Sequence, residues 1–126
     1  MEYAIADAAA RLGLTTHTLR YYERGGLMLA PVERASSGHR RYTDEDLQWI
    51  ALVTRLRATG MPIREVRRYA ELDRRGDGNE EERLALLQAH RQAVLAQLAE
   101  VTEHLGAIDT KIGIYLDKIG DRQTVA

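Results

Sequence analysis

At 126 residues, 44% of them hydrophobic and 29% charged, the chain has material for one small domain plus an extension and too much apolar content for wholesale disorder. It contains no cysteine, which excludes disulfides and thiolate metal sites, and its formal net charge is only −1. No stretch is apolar enough to span a membrane, and Met1-Glu2-Tyr3 lacks the basic and apolar regions that open a secretory signal, so a cytoplasmic location is expected.

The small net charge hides an uneven distribution. Residues 1–75 hold 13 Arg against 10 acids, whereas residues 76–126 hold 5 basic and 9 acidic side chains, so +3 stands against −4. A basic N-terminal part suits a polyanionic partner, and the clustering at Arg40-Arg41 and at Arg64, Arg67 and Arg68 carries more weight than the sum.

In chain order, Ile5, Ala8, Ala9 and Leu12 give the apolar spacing of a first helix, and Gly13 permits a sharp turn. Thr15 or Thr16 can cap a second helix that reads from Thr16 to Arg24. There Leu19 faces the core, His17, Arg20, Tyr21 and Arg24 are left for other faces, and Gly25-Gly26 stops the helix. A helix that reads a DNA groove needs such side chains near its start, although short helix pairs with ordinary surface arginines are common.

Pro31, Ser36-Ser37-Gly38 and the run His39-Arg40-Arg41-Tyr42 fit a β-hairpin whose returning strand carries two guanidiniums and a phenol. Those groups suit phosphate oxygens, Arg through two parallel hydrogen bonds and Tyr through one. A helix-turn-helix followed by a basic wing is far more specific than either part.

Thr43-Asp44-Glu45-Asp46 forms a capping box with Asp in place of the usual Glu, and a third helix follows to about Thr59. Leu47, Ile50, Ala51, Val53, Leu56 and Ala58 broadly keep its helical spacing, and Trp49 is expected to pack. Gly60 ends this helix and Pro62 opens a fourth at its first turn, with Ile63, Val66, Tyr69, Ala70 and Leu72 on the buried side. Arg64, Arg67 and Arg68 lie away from that side, as a second set of phosphate contacts or as a solvated face.

Gly76-Asp77-Gly78-Asn79 is the clearest internal boundary, so the chain divides into a domain at 1–75, a linker at 76–79 and an extension at 80–126. Asn79 can cap the next helix, and Glu80-Glu81-Glu82 complement its positive end. Leu84, Leu87, Val94, Leu98, Val101, Leu105, Ile108, Ile112 and Tyr115 then recur at alternating three-four spacing broken only by Arg91, which is a coiled-coil seam. A helix from about Asn79 to Leu116 would be roughly 55 Å long at about 1.5 Å per residue. That is too long to bury against so small a domain, and the chain supplies no second helix of that length, so a homodimer joined through this helix is the economical arrangement. His17, His39, His90 and His104 lack the close helical spacing of a shared metal site, so no metal or other cofactor is expected.

The line Ala4-Ile5, Gly13-Leu14-Thr15, Thr18-Leu19-Arg20-Tyr21-Tyr22-Glu23, Gly26-Leu27, Pro31, Arg34, Gly38-His39-Arg40-Arg41-Tyr42 and Asp46-Leu47 resembles the MerR family of dimeric transcription regulators, and the resemblance covers nearly the whole chain. The segments Asp46 to Ile50, Leu56 to Ile63 and Gly76-Asp77 are most similar to the AdhR/NmlR-type branch, several of whose members respond to reactive aldehydes or nitrosative stress. Such relatives typically carry a cysteine in the third helix where Arg55 stands here, so thiol-based sensing is excluded.

The resemblance implies a mainly α fold: a winged helix-turn-helix DNA-binding domain and a long C-terminal dimerisation helix that forms an antiparallel coiled coil. It implies a homodimer on a palindromic operator in double-stranded promoter DNA, acting by bending and untwisting the promoter spacer so that RNA polymerase can engage both elements. The expected base-edge contacts are Thr16, His17, Arg20 or Tyr21. The expected phosphate contacts are Tyr22, Arg40 and Tyr42, then Arg34, Arg41 and Arg64, with Arg20 able to serve both roles. No phosphate-cradling glycine loop or placed pair of carboxylates points to an enzyme. The competing reading is a coiled-coil interaction adaptor, or an architectural DNA binder without effector response.

Overall fold

A computed structural model describes residues 1–29, 33–34, 38 and 40–124, with Glu33, Arg34 and Arg40 defined through their backbone. Pro31, Ser36, Ser37 and His39 of the expected hairpin lie outside the described residues. The described elements are β1 (Glu2–Ala4), α1 (Ile5–Leu12), α2 (Thr16–Arg24), β2 (Glu33–Arg34), β3 (Arg40–Thr43), α3 (Asp44–Ala58), α4 (Ile63–Arg74) and α5 (Glu80–Thr124).

The turn between α1 and α2 follows from one glycine and one threonine. Gly13 closes α1 at φ 69°, a left-handed conformation that costs a residue with a Cβ. Thr15, the N-cap of α2, accepts a hydrogen bond from the Thr18 amide at 3.1 Å.

The three strands form an antiparallel sheet in the order β1-β3-β2. Tyr3 pairs with Tyr42 and Ala4 with Arg41 on one side of β3, while Glu33 pairs with Arg41 and Arg34 with Arg40 on the other. The sequence-based expectation covered the hairpin and not β1, because three residues are too few to display a period of two. Through β1, the wing's returning strand is paired on both sides rather than forming an isolated hairpin.

The capping box of α3 is formed as expected. The Thr43 amide donates to Asp46 Oδ2 at 2.9 Å and the Asp46 amide to Thr43 Oγ1 at 3.1 Å. Pro62 stands one place earlier than expected, as the N-cap of α4, where its carbonyl accepts from Glu65 and Val66. One core gathers side chains from β1, α1, α2, β3, α3 and α4, including Tyr3, Ala8, Leu19, Tyr42, Ile50, Val53 and Val66, and Leu27 from the segment after α2. Trp49 packs as expected, its ring stacked on Tyr69 with centroids 5.6 Å apart.

The chain divides into two compact units, Met1–Gln88 and Ala89–Ala126. The first takes in the 76–79 turn and the start of α5, because Leu86 and Leu87 pack against the core and Arg83 meets Asp73 at 3.6 Å. Helix α5 has 45 residues and continues past Leu116 to Thr124. No proline interrupts it there, and Ile119 prolongs the three-four spacing. Its seam is open to solvent: Leu98, Val101, Leu105, Ile108, Ile112 and Tyr115 are each at least half exposed. Among the described residues no helix is long and apolar enough to cross a membrane.

Candidate nucleic-acid interface

Helix α2 is divided between core and solvent. Leu19 and Tyr22 are buried, whereas His17, Arg20, Tyr21 and Arg24 are exposed at positions i, i+3, i+4 and i+7 and so share one face. Thr16 is half-buried beside that face, with Arg20 Nη1 at 3.5 Å from its hydroxyl. Two cations, an imidazole and a phenol thus project from one short rigid helix, a set able to hydrogen-bond base edges and phosphates. No ion pair engages Arg20 or Arg24 among the described residues.

Two expected phosphate ligands are placed elsewhere. Tyr22 is 7% exposed, and its hydroxyl faces Thr54 Oγ1 at 3.4 Å. Because Thr54 spends its own proton on the Ile50 carbonyl at 2.8 Å, Tyr22 is the donor of that pair. Tyr42 is 1% exposed, among the largest fully buried side chains. The alternation of β3 is the cause: Arg41 points to solvent, so its neighbour Tyr42 points to the core. A ring buried this far has no surface to offer a phosphate, and both phenols support the reading elements from beneath.

The wing's charge is partly engaged. Arg41 forms an ion pair with Glu2 across the β1–β3 ladder. The backbone places Arg34 and Arg40 opposite each other on β2 and β3. Nearby, the Tyr3 hydroxyl donates to Asp44 Oδ1 at 2.7 Å, and the N-terminal ammonium lies 3.4 Å from Oδ2. Those hydrogen bonds, Tyr3's first, hold the Asp44 carboxyl below the usual carboxylate range despite partial desolvation.

The arginines of α4 separate into different roles. Arg64 is exposed and takes no ion pair among the described residues. Arg68 is bound to Glu82 at 2.6 Å and Glu71 at 3.7 Å. Arg67 and Arg74 instead turn to the segment that leaves α2. Arg67 Nε donates to the Gly25 carbonyl at 2.7 Å, and Arg74 Nη1 donates to those of Gly26 at 3.3 Å and Met28 at 2.5 Å. Trp49 Nε1 takes the remaining carbonyl, Leu27, at 2.6 Å. Four consecutive carbonyls between the reading helix and the wing are therefore held by side chains of α3 and α4.

Residues 3–72 match the family model described as MerR HTH family regulatory protein, and residues 47–112 match that described as MerR, DNA binding. The chain belongs to the MerR family. It is 40% identical over 115 residues to an uncharacterised HTH-type transcriptional regulator of Haemophilus influenzae, covering 91% of this chain and 84% of that protein. It is 42% identical over 91 residues to the HTH-type transcriptional regulator AdhR of Bacillus subtilis, covering 72% of this chain and 64% of AdhR. Its fold is similar to HiNmlR, a MerR family regulator lacking the sensor domain and bound to promoter DNA, with TM-score 0.84, 39% identity and coverage of 91% and 86%. It is also similar to a MerR family regulator from Listeria monocytogenes, with TM-score 0.89, 33% identity and coverage of 96% and 91%.

This MerR-family chain is a DNA-binding transcription regulator, and its family and fold are those of regulators rather than enzymes. The sequence reasoning left Arg24 off the list of contacts, although its place seven residues after His17 on the exposed face could have been counted. The carbonyl clamp left no such signal, since nothing in the local sequence distinguishes an arginine that faces solvent from one that folds back onto a carbonyl.

Proposed function

We propose that the chain acts as a cytoplasmic homodimer on a two-fold operator within promoter DNA, residues 1–75 reading DNA and residues 80–126 joining the subunits. The observation that carries this is that one chain has both an exposed polar face on α2 and a long apolar seam on α5 that lies open to solvent. Leu87 already packs against the subunit's own core, and burying about eight further seam residues per subunit at roughly 1.5–3 kcal/mol each, before the entropy of association, is enough for a stable dimer. A two-fold protein selects a two-fold operator with a set half-site spacing.

Thr16, His17, Arg20 and Tyr21, with Arg24 added, meet base edges or the adjoining phosphates. Arg34, Arg40 and Arg64 meet phosphates, and Arg41 does so while sharing its charge with Glu2. The dimer bends and untwists the promoter spacer so that RNA polymerase engages both promoter elements, as in the family to which the chain belongs.

The test is a titration of the protein onto a duplex from its own upstream promoter region, beside a scrambled duplex, at two salt concentrations, with the mass of the complex measured. Tight, selective, salt-dependent binding of two chains per duplex is expected. Arg20→Ala should cost roughly 1–3 kcal/mol on the operator alone, whereas Arg40→Ala should weaken all duplexes and lower the salt slope by about 1. Binding without selectivity at either salt would favour an architectural binder, and a complex with straight, normally wound DNA would remove the distortion.

A further inference from the structure

The seam of α5 contains one charge. With Leu84 at heptad position a, Arg91 also stands at a, between Leu87 and Val94 in the apolar series, and it takes no ion pair among the described residues. A cation in such a seam is desolvated on dimerisation unless a carboxylate meets it, and polar residues at a are the ones that fix register. From Leu84 to Ile119, the positions flanking the seam hold one carboxylate, Asp109 at e, whereas the opposite flank carries His90, His104, Lys111 and Lys118 at g. Asp109 is exposed and likewise has no ion pair among the described residues.

We propose that Arg91 and Asp109 set the register of the antiparallel α5 pair, Arg91 lying against the partner's Asp109, twice by symmetry. This rests on the homodimer reading above. A parallel coil is disfavoured because a faces a, which stacks Arg91 on the partner's Arg91 in the seam. An antiparallel coil aligns a with d and brings the two e flanks to the same side. In the register where Leu98 faces the partner's Val101, Arg91 faces the partner's Ile108. The partner's Asp109 is then on the same flank as Arg91, about 1.5 Å along the axis.

Neighbouring registers lose that match. A shift of one heptad sets Arg91 against the partner's Tyr115 and Asp109 against the partner's Leu95, and a second heptad sets Arg91 against the partner's Arg122. A shift the other way leaves Arg91 beside the partner's Thr102 and puts Ile112 against the partner's Glu80. One register alone gives both charges an opposite charge while keeping the apolar layers around them.

Because the chain has no cysteine, introduced thiols report the register directly. The double variant V94C/L105C should close to a covalent dimer on mild oxidation, while V94C alone should not. A covalent dimer from V94C alone would establish a parallel coil, and one from V94C/I112C would establish the shifted register; either overturns the proposal. In sedimentation equilibrium at low salt, D109R should weaken the dimer about tenfold, and the exchange R91D/D109R should restore it to within about threefold. An exchange variant as weak as D109R would refute the pairing. A wild-type chain that sediments as a monomer would refute the dimer reading itself, a result distinct from a dimer with the wrong crosslink.

Discussion

Arg74→Met separates an arginine that holds the reading helix from one that touches DNA. The guanidinium gives a part-buried hydrogen bond of 2.5 Å to the Met28 carbonyl and an exposed one of 3.3 Å to that of Gly26. The Gly26 carbonyl can turn to water when the donor is removed, so its loss is small. The Met28 carbonyl is held by a charged donor in a residue only 6% exposed, and such a bond is worth about 1.5–3 kcal/mol. Methionine keeps most of the aliphatic stem, so a loss of about 2 kcal/mol is expected. With a denaturant dependence of about 2 kcal/mol per molar urea, the unfolding midpoint should fall by about 1 M. The operator titration should weaken about tenfold, because the angle between α2 and the wing is no longer fixed, with no change in salt slope. Arg64→Ala should behave oppositely, leaving the midpoint alone and lowering the slope by about 1. An unchanged urea midpoint for Arg74→Met together with a slope lower by one would make Arg74 a phosphate ligand and refute the clamp.

Tyr42→Ala should cost about 3–5 kcal/mol, the range for emptying an aromatic site in a core, so its loss of DNA binding should track unfolding in urea. A stably folded Tyr42→Ala protein with a reduced salt slope would return the phenol to the phosphate list. Gly13→Ala should cost about 1 kcal/mol, because the added Cβ meets nothing within 4 Å and the penalty is the left-handed backbone alone; equal stability by urea titration would count against the conformation of this turn. Asp44 has a depressed pKa in the folded chain, so the stability it contributes is complete above the ordinary carboxylate range and is lost as pH falls through its folded value. Asparagine there still accepts from Tyr3 but carries no charge, so Asp44→Asn should show a shallower fall in urea midpoint from about pH 5 to about pH 2 than the wild type; parallel curves would remove Asp44 from acid unfolding.

Local pattern made much of this molecule legible. The bounds of α1 and α2, the Thr43–Asp46 box and the Gly60 stop are each written within a few residues, because caps and helical spacing are local physics. What was not legible depends on contacts between distant segments. β1 exists because Glu2, Tyr3 and Ala4 find Thr43, Tyr42 and Arg41, which no three-residue string announces. Tyr42 reads as a phosphate ligand beside two arginines until strand alternation turns it inward. Helix α5 runs past the expected end at Leu116 to Thr124, where Ile119 keeps the period.

The arginines show why composition alone is a poor guide to a DNA-binding surface. Within residues 1–75, Arg11 pairs with Asp7, Arg41 with Glu2 and Arg68 with Glu71 and Glu82. Arg57 donates to the Met61 carbonyl at 2.7 Å, and Arg67 and Arg74 hold the carbonyls after α2. Near half of the 13 arginines there are thus engaged within the chain, which exceeds the +3 excess that first suggested a polyanionic partner. What makes this surface fit for DNA is placement: Arg20 and Arg24 stand one turn apart on a helix whose opposite face is locked in the core, and the chain that leaves that helix is held at four carbonyls in succession. The arginines that fold back onto carbonyls are therefore expected to act on affinity through the angle at which the exposed ones are presented. A charge count treats the two groups alike, whereas the salt slope and the urea midpoint, measured together on each variant, tell them apart.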